Sequence, residues 1–443
     1  MQYFSRPGTL LARVMSVCFA LMMVGVMAAC GGSNSTGSPS SSSGPVNLTF
    51  WSWVPNIQTS IDLFNSTHPG IHVTLNSVTA GNNGTYAKMF TAIKANNAPD
   101  LGQIEYQFLP TFEATGGLLD MSPYLDSSVK SKFVGWTWNQ STLGNSVYAI
   151  PQDTGPMAMF YRADIFKKYN ISPPTTWAEY ADDAAKLHAA NPNYYITDFP
   201  PKDAGWFIGL IWQAGGRWFR INGNSWKVAI NDTNSKMVTN FWQGLLDKKL
   251  VKTDPDFSAA WNNDLANGGA LTWITAVWGA NTIKSGAPST SGDWRVAPMP
   301  QWSAGQNVAG NWGGSTTVVF KDTKHPKEAT EFAEWLNTNS DSVNKMVTGA
   351  SLYPALTSAL SSPAVNSPQP YYGNQVVNQV FQQASSQVDI NFQWGPTMDQ
   401  VFTDIGDDFT NVVNGQGTLS SALDMLQSST VANMQKQGFS VSP

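Results

Sequence analysis

Aromatic rings and uncharged polar groups dominate the chemistry open to this sequence. It carries 18 Trp, all after residue 50, while charged residues make up only 12% of the chain, half the usual quarter. Rings offer flat apolar faces, and the many Asn, Gln, Ser and Thr offer donors and acceptors. That combination suits a neutral, polyhydroxylated ligand. Catalytic patterns are missing from the sequence. No G-x-S-x-G elbow occurs, and no P-loop. The histidines are His68, His72, His188 and His325. His68 and His72 are four apart, but Pro69-Gly70 between them prevents a shared helical face and removes the simplest zinc pairing. Glu105 and Asp153 could pass for the acid and base of a glycoside hydrolase, which would need them about 5–9 Å apart across a cleft. No enzyme activity, cofactor or metal is expected.

These groups need elements to hold them. Val46 to Trp53 alternates and is rich in strand formers, so it reads as a first strand. Trp51 and Trp53 then share a face, opposite Ser52. One is expected in the core and the other is a candidate ligand plate. Asn56 to Asn65 reads as a helix, with Ile57, Ile61 and Phe64 at helical spacing. Ile71 to Val78 is a second strand, Tyr86 to Asn96 a helix, Pro99 to Leu101 the start of a strand, and Leu109 to Gly116 a helix. Thr176-Trp177-Ala178-Glu179 is a capping box for a helix running to about Ala190. Phe241 to Leu246 is helical, Ala270 to Thr275 and Thr316 to Phe320 are strands, and Pro326 opens another helix. This alternation predicts an α/β fold with a largely parallel sheet.

The ends of the chain carry different information. Arg6 and Arg13 precede an uncharged run, Val14 to Ala29, of 16 residues, shorter than the ~20 that a spanning helix needs. It ends in Met27-Ala28-Ala29-Cys30, which has the form of a secretory signal and resembles a bacterial lipobox. Residues 1–29 are therefore expected to be a lipoprotein signal, with Cys30 lipidated. Residues 30–45 form a Gly/Ser-rich tether. Both cysteines, Cys18 and Cys30, lie in this region, so the body has no disulfide or thiol chemistry. The remaining ~400 residues predict two lobes. Without Arg6 and Arg13, 23 basic face 30 acidic residues, a net charge of −7, which argues against nucleic acid as a partner.

Four stretches together resemble family 1 of the extracellular solute-binding proteins, which includes maltose-binding protein. They are Pro99-Asp100 leading to Gly116-Gly117-Leu118-Leu119-Asp120; Tyr148-Ala149-Ile150-Pro151-Gln152-Asp153, followed by Phe160 to Phe166 and Pro173 to Tyr180; Gly268-Gly269-Ala270-Leu271 followed by Trp278; and Val296 to Pro300 followed by Gly313-Gly314. Their order spans nearly the whole mature chain. The resemblance implies a two-lobe, periplasmic-binding-protein-like α/β fold with a hinge and an interlobe ligand cleft. Residues 46–152 plus 312–350 would form one lobe, and 153–311 plus 351–443 the other. The crossings would fall near Pro151 to Gly155, Gly310 to Trp312 and Ala350 to Pro354. It further implies a monomeric ABC-importer subunit at the outer membrane face. That subunit would be lipid-anchored in a Gram-positive-type envelope, and would deliver a neutral mono- or oligosaccharide to two permease subunits.

The resemblance also selects site residues. Glu105, Tyr106 and Gln107 lie where the family places a cleft segment, although Glu105 could equally be a turn residue. Gln152 and Asp153 follow the hinge proline, where Asp153 could instead act as a cap. Trp278 and Trp394 align with sugar-stacking Trp positions. Trp312 and Gly313 sit at the second crossing and Tyr353 at the third. Trp206 aligns poorly and is the weakest member. Trp273 is expected in the core. Polyamine and phosphate-ester ligands would require several carboxylates or Arg and Lys clamps. A surface adhesin would bind polymer without lobe closure.

Overall fold

In the computed structural model of the protein, residues 44–81 and 84–442 are described. The signal segment, Cys30 and nearly all of the tether lie outside them. The described residues from 45 to 442 belong to one compact unit. No helix among the described residues is long and apolar enough to cross a membrane.

The strand Val46–Ser52 places Leu48, Phe50 and Ser52 inward and leaves Trp51 half-buried, as its alternation predicts. It pairs in parallel with Ile71–Ser77, from Val46 opposite Ile71 to Ser52 opposite Ser77, and with Leu101–Glu105 on its other side. The next neighbour, Ser315–Val319, runs antiparallel to Leu101–Glu105 and to the edge strand Ala149–Pro151. The expected parallel sheet is therefore parallel over three strands only. The fourth arrives from a distant part of the chain and runs the other way. A second sheet is wholly antiparallel, with Met157–Arg162 between Thr272–Ala276 and Trp294–Ala297. All five residues of Thr272–Ala276 are buried. Burial on both faces explains why that strand reads as an apolar run instead of an alternation.

The helices start where their caps direct. Thr176 Oγ1 accepts from the Glu179 amide (3.2 Å), and Glu179 Oε2 accepts from the Thr176 amide (3.1 Å), opening Trp177–Ala190. Pro326 begins Pro326–Thr338, which buries Phe332 and Leu336. Its half-buried Trp335 packs edge-on against Phe64 (5.2 Å).

Three stretches of chain run side by side between the two sheets. The central one, Gln152 to Met157, bridges Asp153 to Pro354 on one side and Pro156 to Asn311 on the other. The Thr154 amide donates to the Tyr353 carbonyl (2.9 Å), the Trp312 amide to the Gly155 carbonyl (2.8 Å) and the Met157 amide to the Gly310 carbonyl (3.0 Å). Gly155 has to be glycine, because a Cβ there would lie 1.9 Å from the Trp312 carbonyl oxygen.

Candidate functional site

An aromatic wall grows from the end of the second sheet. Trp278 follows the strand Thr272–Ala276, and Trp312 stands on the crossing stretch. Their rings meet edge-on at 4.6 Å, and the Trp278 indole donates to the Trp312 carbonyl (3.2 Å). Trp273 backs both, at 5.8 and 6.1 Å, and Trp261 backs Trp273 at 4.7 Å. Trp273 is buried, as its place on the strand predicts. The front of the wall is Phe257, whose ring lies 5.5–6.5 Å from all four tryptophans. Phe257 is 50% exposed and holds φ at +59°, a left-handed backbone that a bulky residue rarely adopts. Such strain costs about 1–3 kcal/mol and concentrates at ligand sites.

Four carboxyl groups converge beside these rings. Asp153, after the edge strand, accepts the Ser315 amide (2.7 Å). Burial pushes it up to about 7, opposed by that hydrogen bond and reinforced by the charge of Glu105. Glu105 ends the strand Leu101–Glu105. Its carboxylate accepts from the Tyr86 hydroxyl (3.1 Å), which itself accepts the Glu105 amide (2.9 Å). Burial raises Glu105, while hydrogen bonds from Tyr86 and Gln107 pull it back. Asp203 caps the helix Ala204–Gln213 through the Trp206 amide (2.8 Å). It is raised well above the carboxylate range by burial first, then by its hydrogen-bonded neighbour Asp256, with Glu105 also contributing. Glu105 therefore acts on acids carried by both the crossing stretch and the helix Ala204–Gln213. These groups cannot all be ionised, so protonated members donate O–H while ionised ones accept. A ligand hydroxyl, which needs one of each, matches that set.

The remaining expected site residues fall into three groups. Trp53 is half-buried and edge-on to Tyr86 (6.0 Å), whose hydroxyl donates to Glu105. Tyr106 is buried with no partner for its hydroxyl among the described residues, near enough to feel the Asp153 charge. Gln152 is 3% exposed, and among the described residues neither Nε2 nor Oε1 of its side chain has a partner. The Gly313 carbonyl accepts Asn311 Nδ2 (2.8 Å) beside Trp312. Tyr353 is buried with its hydroxyl unpartnered among the described residues, and shares with Trp278 a hollow of about 440 Å³. In a second group, Trp51 is half-buried against the core. Trp394 is buried against Trp212 (6.0 Å) and Phe392 (5.0 Å), lining a different hollow of about 170 Å³. Trp206 stands alone and corrects the expectation. It is 2% exposed, packed on Trp242 (5.0 Å), and its indole donates to the Ile274 carbonyl (2.9 Å). A ring this deeply buried among other core rings, with its one polar group satisfied internally, belongs to the core.

Sequence reasoning missed Asp203, Asp256 and Phe257. The Asp-x-x-Trp start of an unbroken apolar helix was a usable cap signal for Asp203. Nothing in Thr253-Asp254-Pro255-Asp256-Phe257 marks the strained ring.

A sequence model of the bacterial extracellular solute-binding proteins matches residues 51–341. The arabinooligosaccharide-binding protein of Bacillus subtilis (strain 168) is 24% identical over 346 residues, covering 75% of this chain and 78% of that protein. Two solved structures match at 29% identity. The galacto-N-biose/lacto-N-biose I-binding protein of the Bifidobacterium longum ABC transporter, in complex with lacto-N-biose, has a TM-score of 0.81 and covers 90% of this chain and 99% of that one. The ABC-transporter-associated binding protein of B. animalis subsp. lactis Bl-04, in complex with beta-1,6-galactobiose, has a TM-score of 0.78 over 90% of this chain and 100% of that one.

Proposed function

The chain belongs to the bacterial extracellular solute-binding proteins, and we propose that it captures a neutral di- or oligosaccharide between two lobes and delivers it to the permease of an ABC importer. The observation that carries this reading is the juxtaposition of an aromatic wall, exposed Phe257 in front of half-buried Trp278 and buried Trp312, with the carboxyl set Glu105, Asp153, Asp203 and Asp256. Sugar C–H faces stack on rings, and sugar hydroxyls pair with carboxyl groups that both donate and accept. Relatives that bind arabinooligosaccharides, lacto-N-biose and galactobiose support the ligand class.

One lobe comprises residues 46–152 plus 312–350 and the other 153–311 plus 351–443. Sugar contacts both, so binding favours the closed arrangement, in which the two halves of the site meet. The three crossing stretches are the hinge. Cys30 carries a lipid that holds a monomeric protein at the outer face of a Gram-positive-type membrane, where each lobe docks on one permease subunit. No turnover is expected. The four acids beside an aromatic wall favour one other reading, a cationic amine ligand.

A thermal-shift screen of the mature protein decides between them. A ligand at 100 times its Kd stabilises the fold by ~2.7 kcal/mol, about 3 °C for a chain of this size. A shift from neutral disaccharides supports the proposal. Silence from sugars with a shift from spermidine would transfer the site to amines.

A further inference from the structure

A second acidic cluster lies away from the wall. Asp198 sits in an extended stretch bridged in parallel to Lys252. Asp254 begins the loop that follows Lys252, and Asp264 belongs to the helix Ala259–Asn267. One oxygen from each carboxylate lies within 4.8 Å of the other two. Asp198 is 3% and Asp264 7% exposed. Among the described residues, neither Asp198 oxygen has a hydrogen-bond partner, and Asp264 Oδ2 has none either. A buried carboxylate with both oxygens unpartnered, aimed at two more carboxylates, is costly unless something positive joins it. Lys252 supplies one charge. It is hydrogen-bonded to Asp264 Oδ1, lies 3.9 Å from Asp254 Oδ2, and sits over the Tyr195 ring. One ammonium among three carboxylates leaves the cluster short of positive charge. Gly269 makes room for Asp264, since a Cβ there would come 2.4 Å from Asp264 Oδ1.

We propose that Asp198, Asp254 and Asp264 bind a hard divalent cation, calcium in preference to magnesium, and that it pins the loop carrying Asp256 and Phe257 into the ligand site. An all-oxygen, carboxylate-rich donor set suits hard cations. Calcium tolerates irregular geometry that magnesium does not, and extracellular modules bind it at Kd of about 10⁻⁴–10⁻³ M. Entry is open, because Tyr195, Lys252 and Asp254 line a surface groove of about 490 Å³. Asp254 is two residues before Asp256 and three before Phe257, so fixing it fixes them.

The test needs no sugar, so its failure leaves the sugar reading intact. The mature protein is stripped with chelator and melted with CaCl2 or MgCl2 alone. Calcium at 10 mM is expected to raise Tm by about 3 °C, the shift for 100 times a Kd of about 10⁻⁴ M, with a smaller effect from magnesium. Calorimetric titration of the stripped protein with CaCl2 should show saturable binding of one calcium per protein, at a Kd of about 10⁻⁴ M. Asp198→Asn should abolish both responses, and the half-exposed Asp254→Asn provides a second variant should the first fail to fold. No calcium shift in the wild type, or an equal shift in both variants, overturns the site.

Discussion

Replacing Phe257 by glycine should separate folding from binding. In the folded chain Phe257 holds φ at +59° with half its surface exposed. The left-handed backbone costs a residue with a Cβ about 1–2 kcal/mol, which glycine recovers. Against that, glycine loses about 0.5–1 kcal/mol of chain entropy on folding. The half-buried ring gives up roughly half of the 1.5–3 kcal/mol that full burial of Phe contributes. The terms nearly cancel, so stability should change by no more than ~1 kcal/mol, or about 1 °C in Tm. Sugar binding has no such compensation. Loss of a stacking plate should weaken it by ~1 kcal/mol or more, a factor of at least ~5. Phe257→Asn, which tolerates the same backbone, should show the same split. Paired thermal melts and calorimetric titrations read both quantities. Unchanged affinity would remove the ring from the site. A stability loss above ~3 kcal/mol would show that Phe257 is a core prop whose backbone strain is unimportant.

Other substitutions and conditions give further expected outcomes. Trp278→Ala should weaken sugar binding about fivefold or more with a folded protein remaining, whereas Trp206→Ala should cost ~3–5 kcal/mol of stability through the cavity it leaves; melts and titrations of both variants check the contrast. Gly155→Ala drives a Cβ to 1.9 Å from the Trp312 carbonyl, so it should destabilise by ~1–3 kcal/mol or more and disturb the crossing. Stability should fall as pH rises from 5 to 8. Folded Asp153 keeps its proton to about pH 7, while an unfolded Asp loses it near 4. The folded state therefore holds more protons across that window. Asp203 and Asp198 are raised too and act with the same sign. Glu179, lowered by hydrogen bonds from Thr175, changes charge only below the window. Asp153→Asn should flatten the slope in pH-dependent melts; a Tm that climbs toward pH 8 would contradict the burial of these acids. Small-angle scattering should show compaction when sugar is added, and identical profiles would count against lobe closure.

What the sequence reveals depends on where each signal resides. The capping box at Thr176 and Glu179 and the proline at 326 are local devices, and the helices begin at them. The first strand is legible because one face is buried and the other is not. The helix Ala204–Gln213 is buried at every position, so it carries no amphipathic period to mark it as a helix. Trp206, within it, resembles a ligand ring by residue type. Its burial against Trp242 and its bond to the Ile274 carbonyl, 68 residues away, assign it to the core. The pairing of Asp203 with Asp256 bridges 53 residues, and the Phe257 backbone angle is set by its surroundings. Neither leaves a trace in composition or spacing. The reversal of the first sheet at Ser315–Val319 likewise depends on where a long return of the chain enters.

The most direct measurement of the central claim is a tryptophan-fluorescence titration of the mature protein. Trp278 and Trp312, in ring contact at 4.6 Å, belong to the proposed site and should report its occupancy. The panel would hold galactobiose, lacto-N-biose and arabinobiose, with spermidine beside them. The account predicts a saturable one-to-one change with at least one saccharide, lost or weakened in Trp278→Phe and Phe257→Gly, and none with spermidine. Saturation by spermidine with no response to any saccharide would contradict it.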